Sequence, residues 1–429
     1  MNLQNIFLYS CLKEKIMKAE IITIGDELLI GQTIDTNSAW MGAELSRIGF
    51  EVTQITSISD KKEQIINTLK GKVGISNVIL ITGGLGPTSD DITKQTLCEF
   101  FETRLVFNEE VYTGIEKMMI QRNFPMNENN RRQAEVPESC RVLNNATGTA
   151  PGMWFEKGGT IFVSMPGVPY EMKHIMTEHV IPELKNRFTS QYIIHRNIMT
   201  YGTSEAKLAE ILTDFETGIP ANIKLAYLPS WGVIKLRLTG IGEESTNLSN
   251  AIENQVNKLY RIIPEYIYGE NEESLEMVVG KLLISKSQSV CFAESCTGGE
   301  LSHLITSVPG SSRYFKGSVI AYDNTVKTKL LNVPEETISK YGAVSKETVE
   351  RMATGALTLF KTDFAVATSG IAGPEGGTPE KPVGTIWIGI STRGKTITEK
   401  FNYGYDRVSN IRRFSLATLN QLRKQIISQ

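Results

Sequence analysis

The sequence predicts an α/β protein in which two doubly wound domains flank a small α+β segment. Short apolar runs alternate with amphipathic helical patterns, which indicates βαβ units and parallel sheets. This alternation stops near residue 190 and resumes near residue 270. Glycine-rich loops directly follow several of the apolar runs, where parallel sheets bind ligands. At about 150 residues per domain, the length of 429 residues agrees with three domains.

The composition is that of a globular protein and argues against several functional classes. The chain is 41% hydrophobic and 21% charged, and 45 basic against 47 acidic residues give a net charge of -2. A dedicated nucleic-acid-binding protein would carry a basic excess. No run reaches the 18 or so apolar residues that a membrane-spanning helix needs. Five cysteines without CxxC spacing and only four histidines indicate reduced thiols in a cytoplasmic protein, not a metal cluster of these residues.

Residues 1–16 do not fit the pattern of the remaining chain. Their apolar run is short, no basic segment precedes it, and no small-residue cleavage site follows. We interpret these residues as a non-native or mis-called extension, with Met17 as the working first residue.

The first domain is expected to cover residues 17–188. Its predicted strands are three short apolar runs: residues 19–24, 50–58 and 78–81. Asn37 or Ser38 is suited to cap the helix after the first strand. Asp60 and Glu63 resemble a capping box at the start of the next helix.

The loop of residues 82–91, TGGLGPTSDD, lies between a buried strand and a helix. Glycines let backbone N–H groups approach a phosphate, and a helix N-terminus favours anions. The alternative is a tight turn in which Asp90 or Asp91 caps the helix. Three glycines and two adjacent carboxylates exceed what a cap needs, so a ligand site is favoured. The predicted substrate contacts of this domain are Gly83, Gly84, Gly86 and Asn37.

A second loop of this domain, residues 25–31, also leaves the end of a strand. Its Asp26 is therefore expected to converge with Asp90 on one crevice. Paired carboxylates that face a phosphate usually hold a divalent cation such as Mg²⁺. The predicted metal ligands are Asp26, Asp90 and Asp91. Asp35 or Asn37 can instead serve only as the cap of the following helix.

The middle segment, residues 189–268, is predicted to be a small α+β unit. Its expected elements are a strand at 192–200, a helix at 204–212, a β-pair at 223–227 and 233–239, and a helix from about 245. We place its end at the acidic stretch 269–273.

The last domain, residues 269–429, returns to strand–helix alternation. Its predicted strands are residues 289–293, 318–322 and 364–368, followed by a hairpin of 385–391 with 396–401 and a helix from about Asp406. Residues 389–396 match the phosphate-loop pattern GxxxxGK[ST]. The residues that follow alternate with period two, so we interpret the match as a hairpin turn and expect no nucleotide hydrolysis there.

The loop of residues 293–299, AESCTGG, again joins a strand to a helix. Ser295 stands at the turn, and the amides of Thr297, Gly298 and Gly299 are predicted to form an anion or oxyanion pocket. Cys296 is a rival nucleophile, although a buried thiol would be inert.

A serine nucleophile needs a base. His303 lies two helical turns further on and is expected to point away, which disfavours a Ser-His-Asp triad. Lys327 follows the strand that Tyr322 ends, and burial would lower the pKa of its amine enough for a base. A third glycine-rich loop begins with Ser369 and Gly370. Three such loops at one sheet edge favour an active site.

These motifs, in this order, resemble the CinA family of competence/damage-inducible proteins from about Met17 to the C-terminus. In the first domain the resemblance rests on GDELLIGQTIDTN, TGGLGPTSDD, GTAPG and PGVPYEM. In the last domain it rests on AESCTGG, GAVSKETVERMATGA, SGIAGPEGG and KPVGTIW.

The resemblance implies a three-layer first domain similar to molybdopterin-binding proteins, with ADP-ribose pyrophosphatase activity that depends on a divalent metal. It implies a last domain that converts nicotinamide mononucleotide (NMN) to nicotinate mononucleotide and ammonia, without a cofactor. The implied nucleophile is Ser295 and the implied base Lys327, with Tyr322 beside them. The implied phosphate contact is Arg407, although Arg412 and Arg413 also fit. The stretch containing Ser311 and Ser312 is a further candidate phosphate cradle.

Two other functions stay open at this point. One is a pterin- or nucleotide-binding module that does not turn its ligand over. The other is a partner-binding protein linked to DNA uptake or repair, although the balanced charge argues against direct nucleic-acid binding. We expect small nucleotides as partners, no membrane and no direct nucleic acid, and a homodimer.

Overall fold

The computed structural model describes residues 17–88, 91–188 and 191–429 of the chain. The extension of residues 1–16 lies outside the described residues. Contacts divide the chain into two compact units. The first holds the residues up to 195 with 219–224 and 239–253, and the second holds residues 196–218, 225–238 and 254–429. The chain thus passes between the units within the predicted middle segment, and the three-domain division stays a prediction.

Residues 17–188 form the first large sheet and the helices that cover it. The strands are β1 (Met17–Ile24), β2 (Phe50–Ile58), β3 (Val78–Thr82), β4 (Leu105–Phe107), β5 (Glu135–Pro137), β6 (Arg141–Leu143), β7 (Gly152–Lys157) and β8 (Thr160–Met165). The helices are α1 (Asp26–Leu29), α2 (Thr36–Arg47), α3 (Lys62–Lys70), α4 (Thr93–Phe100), α5 (Glu109–Gln121), α6 (Glu128–Gln133), α7 (Pro169–Ile175) and α8 (Ile181–Arg187), with a π-helical turn at Met176–Val180.

Six of these strands form one sheet in the order β2-β1-β3-β8-β7-β6. The first four are parallel to one another, whereas β7 and β6 join antiparallel to them. Side chains alternate between the faces, so Ile21 and Leu80 enter one core and Ile22 and Ile81 enter the other. Helices α2 and α7 cover the first face, and α3 and α4 cover the second. The expected three-layer α/β domain is therefore confirmed.

The helix starts of this domain agree with the prediction only in part. Asp35, one of the alternative caps named from the sequence, caps α2, where its side chain accepts from the amide of Ser38 at 2.9 Å. Asn37 and Ser38 lie inside the first turn, so their prediction as caps was wrong. Helix α3 follows Lys61 without a side-chain cap. Asp60 instead accepts a hydrogen bond from the amide of Asp26 at 3.2 Å, so the predicted capping box is absent.

The predicted middle segment contains a four-stranded sheet and three helices. The elements are β9 (Tyr192–Tyr201), α9 (Glu205–Ile211), α10 (Thr213–Thr217), β10 (Ile223–Ser230), β11 (Val233–Gly242), α11 (Ser245–Ile262) and β12 (Ile267–Glu270). The strand order is β10-β11-β9-β12. Strand β12 lies across the predicted boundary at residue 269 and pairs antiparallel with β9.

The remaining residues form a five-stranded sheet with helices on both faces. The elements are α12 (Leu275–Ser285), β13 (Val290–Glu294), α13 (Glu300–Thr306), β14 (Phe315–Ile320), α14 (Asn324–Leu331), α15 (Glu335–Tyr341), α16 (Lys346–Phe360), β15 (Phe364–Gly370), β16 (Thr385–Ser391), β17 (Thr396–Asn402) and α17 (Arg407–Ile427), with a 3₁₀ turn at Ser311–Arg313. The strand predicted at 318–322 thus lies at 315–320. None of the helices in the described ranges has the length and apolar character needed to cross a membrane.

The order of the last sheet is β14-β13-β15-β16-β17. Strands β14, β13 and β15 are parallel, and β16 and β17 add an antiparallel hairpin. In that hairpin Thr392 donates its amide to the carbonyl of Lys395 at 2.8 Å, which confirms the predicted turn. Because the three parallel strands share one direction, the loops after Glu294, Ile320 and Gly370 leave the same edge of the sheet.

Candidate functional site

The loops after β13, β14 and β15 surround a cavity of about 280 Å³. Seven residues singled out from the sequence line it: Ser295, Cys296, Tyr322, Lys327, Ser369, Gly370 and Arg407. Asn324 and Glu375 also line it, and the sequence had not indicated them. The cavity thus brings together side chains that lie more than 100 residues apart in the chain.

Ser295 is the first residue after β13, and its backbone is fixed from the neighbouring strand. Its amide donates to the carbonyl of Thr368 on β15 at 3.0 Å. Two residues further on, the hydroxyls of Thr297 and Thr368 lie 2.8 Å apart. The turn is therefore held against β15, and the half-buried Ser295 lines the cavity.

Glu294 closes the same turn and was missed by the sequence analysis. It is fully buried, and its carboxylate accepts from the amides of Gly299, Leu301 and Ser302 at 2.9–3.1 Å. The hydroxyl of Ser302 adds a bond of 2.6 Å. The sequence did contain a signal for this role, because Glu294 stands shortly before two glycines and the start of a helix. Carboxylates stabilise helix N-termini.

The same bonds correct the predicted oxyanion pocket. The amide of Gly299 donates to Glu294, and the amide of Gly298 donates to the carbonyl of Ser295 at 3.2 Å. Both glycine amides are thus occupied within the turn, so their prediction as substrate-binding donors was wrong. Thr297 is the remaining candidate of the three.

Lys327 lies in the first part of α14, and its side chain is only 1% exposed. Asp323 caps this helix by accepting from the amide of Thr325 at 2.8 Å. The Nζ of Lys327 donates to the carbonyl of Tyr322 at 3.2 Å. Burial lowers the pKa of Lys327, and the negative charge of Asp323 opposes that shift in part. A buried amine of this kind can accept a proton at a lower pH than an exposed lysine.

The two rival residues named from the sequence do not suit catalysis. Burial raises the pKa of the Cys296 thiol to about 12, so its nucleophilic thiolate is scarce near neutral pH. His303 lies on α13 and is not among the residues that line the cavity.

Arg407 is the arginine that reaches the cavity. Its guanidinium donates to the carbonyl of Gly373 at 2.7 Å and to the hydroxyl of Tyr322 at 2.9 Å. Arg412 instead pairs with Glu300 at 3.1 Å. The guanidinium of Arg413 lies over the ring of Tyr405, at 4.1 Å. The structure therefore favours Arg407 over the other two as the phosphate contact.

Ser311 and Ser312 lie at the opposite edge of the sheet. They form a 3₁₀ turn before β14, whose first residue Phe315 pairs with Val290 at the start of β13. Ser295 follows the other end of β13. The prediction that these two serines bind the same substrate was wrong, because the loop before a parallel strand and the loop after it lie at opposite edges.

A second cavity, of about 370 Å³, lies in the first compact unit. Four predicted residues line it: Gly83, Gly84, Gly86 and Asp91. The side chains of Glu27, Asp60, Gln133 and Glu171 line it as well, without having been predicted. Asp26 does not line this cavity, and Asp90 lies outside the described residues.

The glycines of this loop are required by contacts within the protein. Gly83 has a φ of +112°, and a Cβ there would lie 2.0 Å from the carbonyl oxygen of Ile24. A Cβ at Gly86 would lie 2.4 Å from the carboxylate of Asp91. That carboxylate accepts from the amide of Thr88 at 2.9 Å. Contacts within the protein alone therefore account for glycine at these two positions.

The cavity is acidic, and the pKa of two of its carboxyl groups is raised. Burial raises the pKa of Asp60, and the nearby charges of Glu27 and Asp91 act in the same direction. Burial likewise raises the pKa of Glu171, which accepts from Asn145 Nδ2 at 2.6 Å. Asn145 also donates to the carbonyl of Ala150, and so holds Glu171 in place.

The predicted metal ligands do not come together as a set. Among the residues that the structure describes, no group of three or more His, Cys, Asp or Glu side chains is arranged to hold a metal ion. Asp26 contributes its backbone amide to Asp60, and Asp91 is bound within its own turn. The described side chains alone therefore do not fit a divalent cation.

Asn37 has a structural role. Its Nδ2 donates to the carbonyl of Gly167 at 2.7 Å, and its side chain is buried. It is not among the residues that line the cavity. Its prediction as a substrate contact is corrected accordingly: it ties α2 to the loop after β8.

Three family models match the chain. One described as "CinA C-terminal domain" matches residues 272–426, and one described as "Damage-inducible protein CinA KH domain" matches residues 195–269. The third, "Probable molybdopterin binding domain", matches residues 20–186.

Curated relatives match nearly the whole chain. A "CinA-like protein" of Cytophaga hutchinsonii is 48% identical over 95% of this chain and 98% of its own. A "CinA-like protein" of Flavobacterium psychrophilum is 47% identical over 96% and 99%. Among solved structures, the "competence damage-inducible protein A (ComA)" of Klebsiella pneumoniae is 31% identical over 36% of this chain and 95% of its own, with a TM-score of 0.35.

Proposed function

The chain belongs to the CinA family, and we propose that its C-terminal domain hydrolyses the carboxamide of NMN to nicotinate mononucleotide and ammonia. The observation that carries this proposal is the cavity shared by Ser295, the buried Lys327 and Arg407. A nucleophile, an amine base of lowered pKa and a fixed cation are what amide hydrolysis on a phosphorylated substrate requires.

In the proposed acylation, Ser295 Oγ attacks the carboxamide carbon while the neutral amine of Lys327 takes its proton. The carbonyl electrons move to the oxygen, and a tetrahedral oxyanion forms, for which the amide of Thr297 is the expected donor. The Lys327 ammonium then protonates the amide nitrogen. The C–N bond breaks, ammonia leaves, and an ester to Ser295 remains.

In the proposed deacylation, Lys327 takes a proton from a water molecule that attacks the ester. The C–O bond to Ser295 breaks, Ser295 regains a proton from Lys327, and nicotinate mononucleotide leaves. Arg407 holds the substrate phosphate in both steps, because its guanidinium presents a fixed fork of donors. The hydroxyl of Tyr322 accepts from Arg407 and so orients it.

Ammonia release from NMN tests this proposal. Ser295→Ala should abolish it, and Lys327→Ala should lower kcat by about 10²–10⁴-fold, the usual contribution of a general base. Cys296→Ala is the matched control, since it removes a neighbouring nucleophile that is buried with a raised pKa. Full activity in Ser295→Ala with the fold retained, shown by circular dichroism, would refute the mechanism.

A second site is favoured by the acidic cavity of the N-terminal unit and by the molybdopterin-binding family model. We infer that this cavity binds a nucleotide or pterin ligand, with ADP-ribose hydrolysis as the activity that the family suggests. A divalent metal belongs to that family activity, although the described carboxylates form no set that would hold one.

Incubation with ADP-ribose, with Mg²⁺ or with EDTA, tests the second site. AMP formation that needs Mg²⁺ and stops with EDTA supports a metal-dependent pyrophosphatase. Binding by calorimetry without turnover supports a binding module instead. Absence of both would remove ADP-ribose as the ligand of this cavity.

Residues 195–269, which match the KH family model and form the KH-like segment, do not favour a nucleic-acid role. KH domains clamp a nucleic-acid backbone with a Gly-x-x-Gly loop between two helices. Here α9 and α10 are separated by Leu212 alone, and no glycine lies between Glu205 and Thr217. We retain small nucleotides as the proposed partners. The four described cysteines are free thiols, consistent with the proposed cytoplasmic location, and a homodimer remains a proposal.

A further inference from the structure

The loop of residues 403–406 joins β17 to α17 and delivers Arg407, the first residue of that helix. Asp406 caps the helix by accepting from the amide of Val408 at 3.0 Å. Asn410 Nδ2 donates to the carbonyls of Tyr405 and Ala372, at 2.6 Å and 3.0 Å. The position of the Arg407 guanidinium therefore depends on how this loop is held.

The KH-like segment touches the same loop from another side. Burial raises the pKa of Tyr201, at the end of β9, and the nearby Tyr403 hydroxyl of the loop raises it further. Arg413 of α17 stacks its guanidinium over the ring of Tyr405. Gly232, in the turn between β10 and β11, lies against Arg413: a Cβ there would be 3.0 Å from its Nη1. All these residues belong to the second compact unit.

This contact is backed by a shared core. Met199 of β9 and Tyr268 of β12 belong to the same buried cluster as Phe414 of α17. Tyr201 and Tyr403 pack against that cluster. Arg423, further along α17, donates to the carbonyl of Ile267 at 3.1 Å. A densely packed support of this kind transmits small displacements instead of absorbing them.

We propose that the KH-like segment positions Arg407 for the substrate phosphate through Tyr201 and Gly232. This inference rests on the proposed amidohydrolase function and assigns the segment a role in it. Tyr201, Gly232 and Arg413 are positioning residues, since they act on Arg407 through the loop. Their loss should weaken binding of NMN, which carries the phosphate, and leave nicotinamide riboside, which lacks it, unaffected.

Two glycines of the segment offer a matched pair of variants. Gly232 and Gly202 have nearly the same φ, +87° and +92°. A Cβ at Gly202 meets nothing within 4 Å, whereas one at Gly232 meets Arg413. Gly232→Ala and Gly202→Ala therefore carry similar backbone strain and differ in the contact. Tyr201→Phe, which removes only the hydroxyl, is a second route should Gly232→Ala fail to fold.

Steady-state kinetics of the full chain with NMN and with nicotinamide riboside test whether the KH-like segment positions Arg407. We expect Gly232→Ala and Tyr201→Phe to raise KM for NMN by about fivefold, as for a weakened charge-assisted hydrogen bond. We expect kcat for NMN, both constants for nicotinamide riboside, and all constants of Gly202→Ala to match the parent. Equal KM values for NMN in all variants would overturn the inference, as would equal losses on both substrates. A parent that releases no ammonia from NMN would refute the proposed function, and this inference with it.

Discussion

Lys327 shows what the fold adds to a residue that the sequence could only suggest. Its distance from Tyr322 in the chain allowed a position near a strand end, but most lysines with that spacing are exposed. The structure buries the amine almost completely and leaves a backbone carbonyl as its hydrogen-bond partner. Burial disfavours the charged form, which makes the amine available as a base.

The pH dependence of NMN hydrolysis should report this amine. Because the base is the deprotonated form, kcat/KM should rise with pH and level off above the pKa of Lys327. Burial lowers that pKa, so the midpoint should lie below about 10.4, the value of an ordinary lysine. A pH–rate profile of the parent provides the measurement.

Asp323→Asn is the matched variant for this profile. Asparagine caps helices about as well as aspartate, so α14 should keep its start. The negative charge that raises the pKa of Lys327 is removed, and the midpoint should move to lower pH. An unchanged midpoint, or one moved to higher pH, would show that the titrating group is not Lys327.

Other residues of the site could not be found from the sequence for identifiable reasons. Ser295 and Lys327 follow strand ends, which a pattern of apolar runs locates. Glu294 lies on a strand and resembles any buried strand residue until the turn folds around its carboxylate. Ser311 and Ser312 have the composition of a phosphate loop, yet they precede their strand, and composition does not distinguish the two ends.

At the scale of elements, the turn between β13 and α13 depends on one buried carboxylate. Glu294→Gln keeps the size of the side chain but turns an amide NH₂ toward a group of N–H donors. We expect the free energy of unfolding to fall by about 1–3 kcal/mol, as for unsatisfied buried groups. We also expect a lower kcat for NMN at unchanged KM, because the turn carries Ser295.

Urea denaturation and steady-state kinetics measure both effects. Glu300→Gln is the control, since it lies in the same region but pairs with Arg412 near the surface. Such exposed pairs contribute about 0–1 kcal/mol. A Glu294→Gln variant as stable and as active as Glu300→Gln would contradict the role assigned to the buried carboxylate.

Strands were predicted more accurately than helix starts, and the reason is physical. A strand buried on both faces of a parallel sheet is a continuous apolar run, which is a strong local signal, so the prediction of 78–81 lies within β3. Three residues that can cap a helix, Asp35, Asn37 and Ser38, lie close together at the start of α2. The choice among them is tertiary, because Asn37 is drawn away to Gly167, 130 residues further on.

At the scale of the whole molecule, the two candidate sites lie in separate compact units. We expect substitutions in one site to leave the other unaffected, since sites that share no residues usually act additively. Ser295→Ala should abolish NMN hydrolysis and leave the affinity for ADP-ribose unchanged. Glu171→Gln should change the affinity for ADP-ribose and leave kcat/KM for NMN unchanged.

Calorimetry with ADP-ribose and an ammonia assay with NMN, applied to both variants and the double variant, test this independence. The double variant should show the sum of the two single effects. A loss of NMN hydrolysis in Glu171→Gln would instead reveal energetic coupling between the two units.

The pairing of β12 with β9 has a practical consequence for dividing this protein. A cut at residue 269, where the acidic stretch suggests a linker, would split β12 and remove one of the two strands that flank β9. The newly exposed strand would present a row of unsatisfied backbone groups, the kind of edge along which chains polymerise. Fragments made for crystallisation or biotechnology should keep Ile267–Glu270 together with Tyr192–Tyr201 on the same polypeptide.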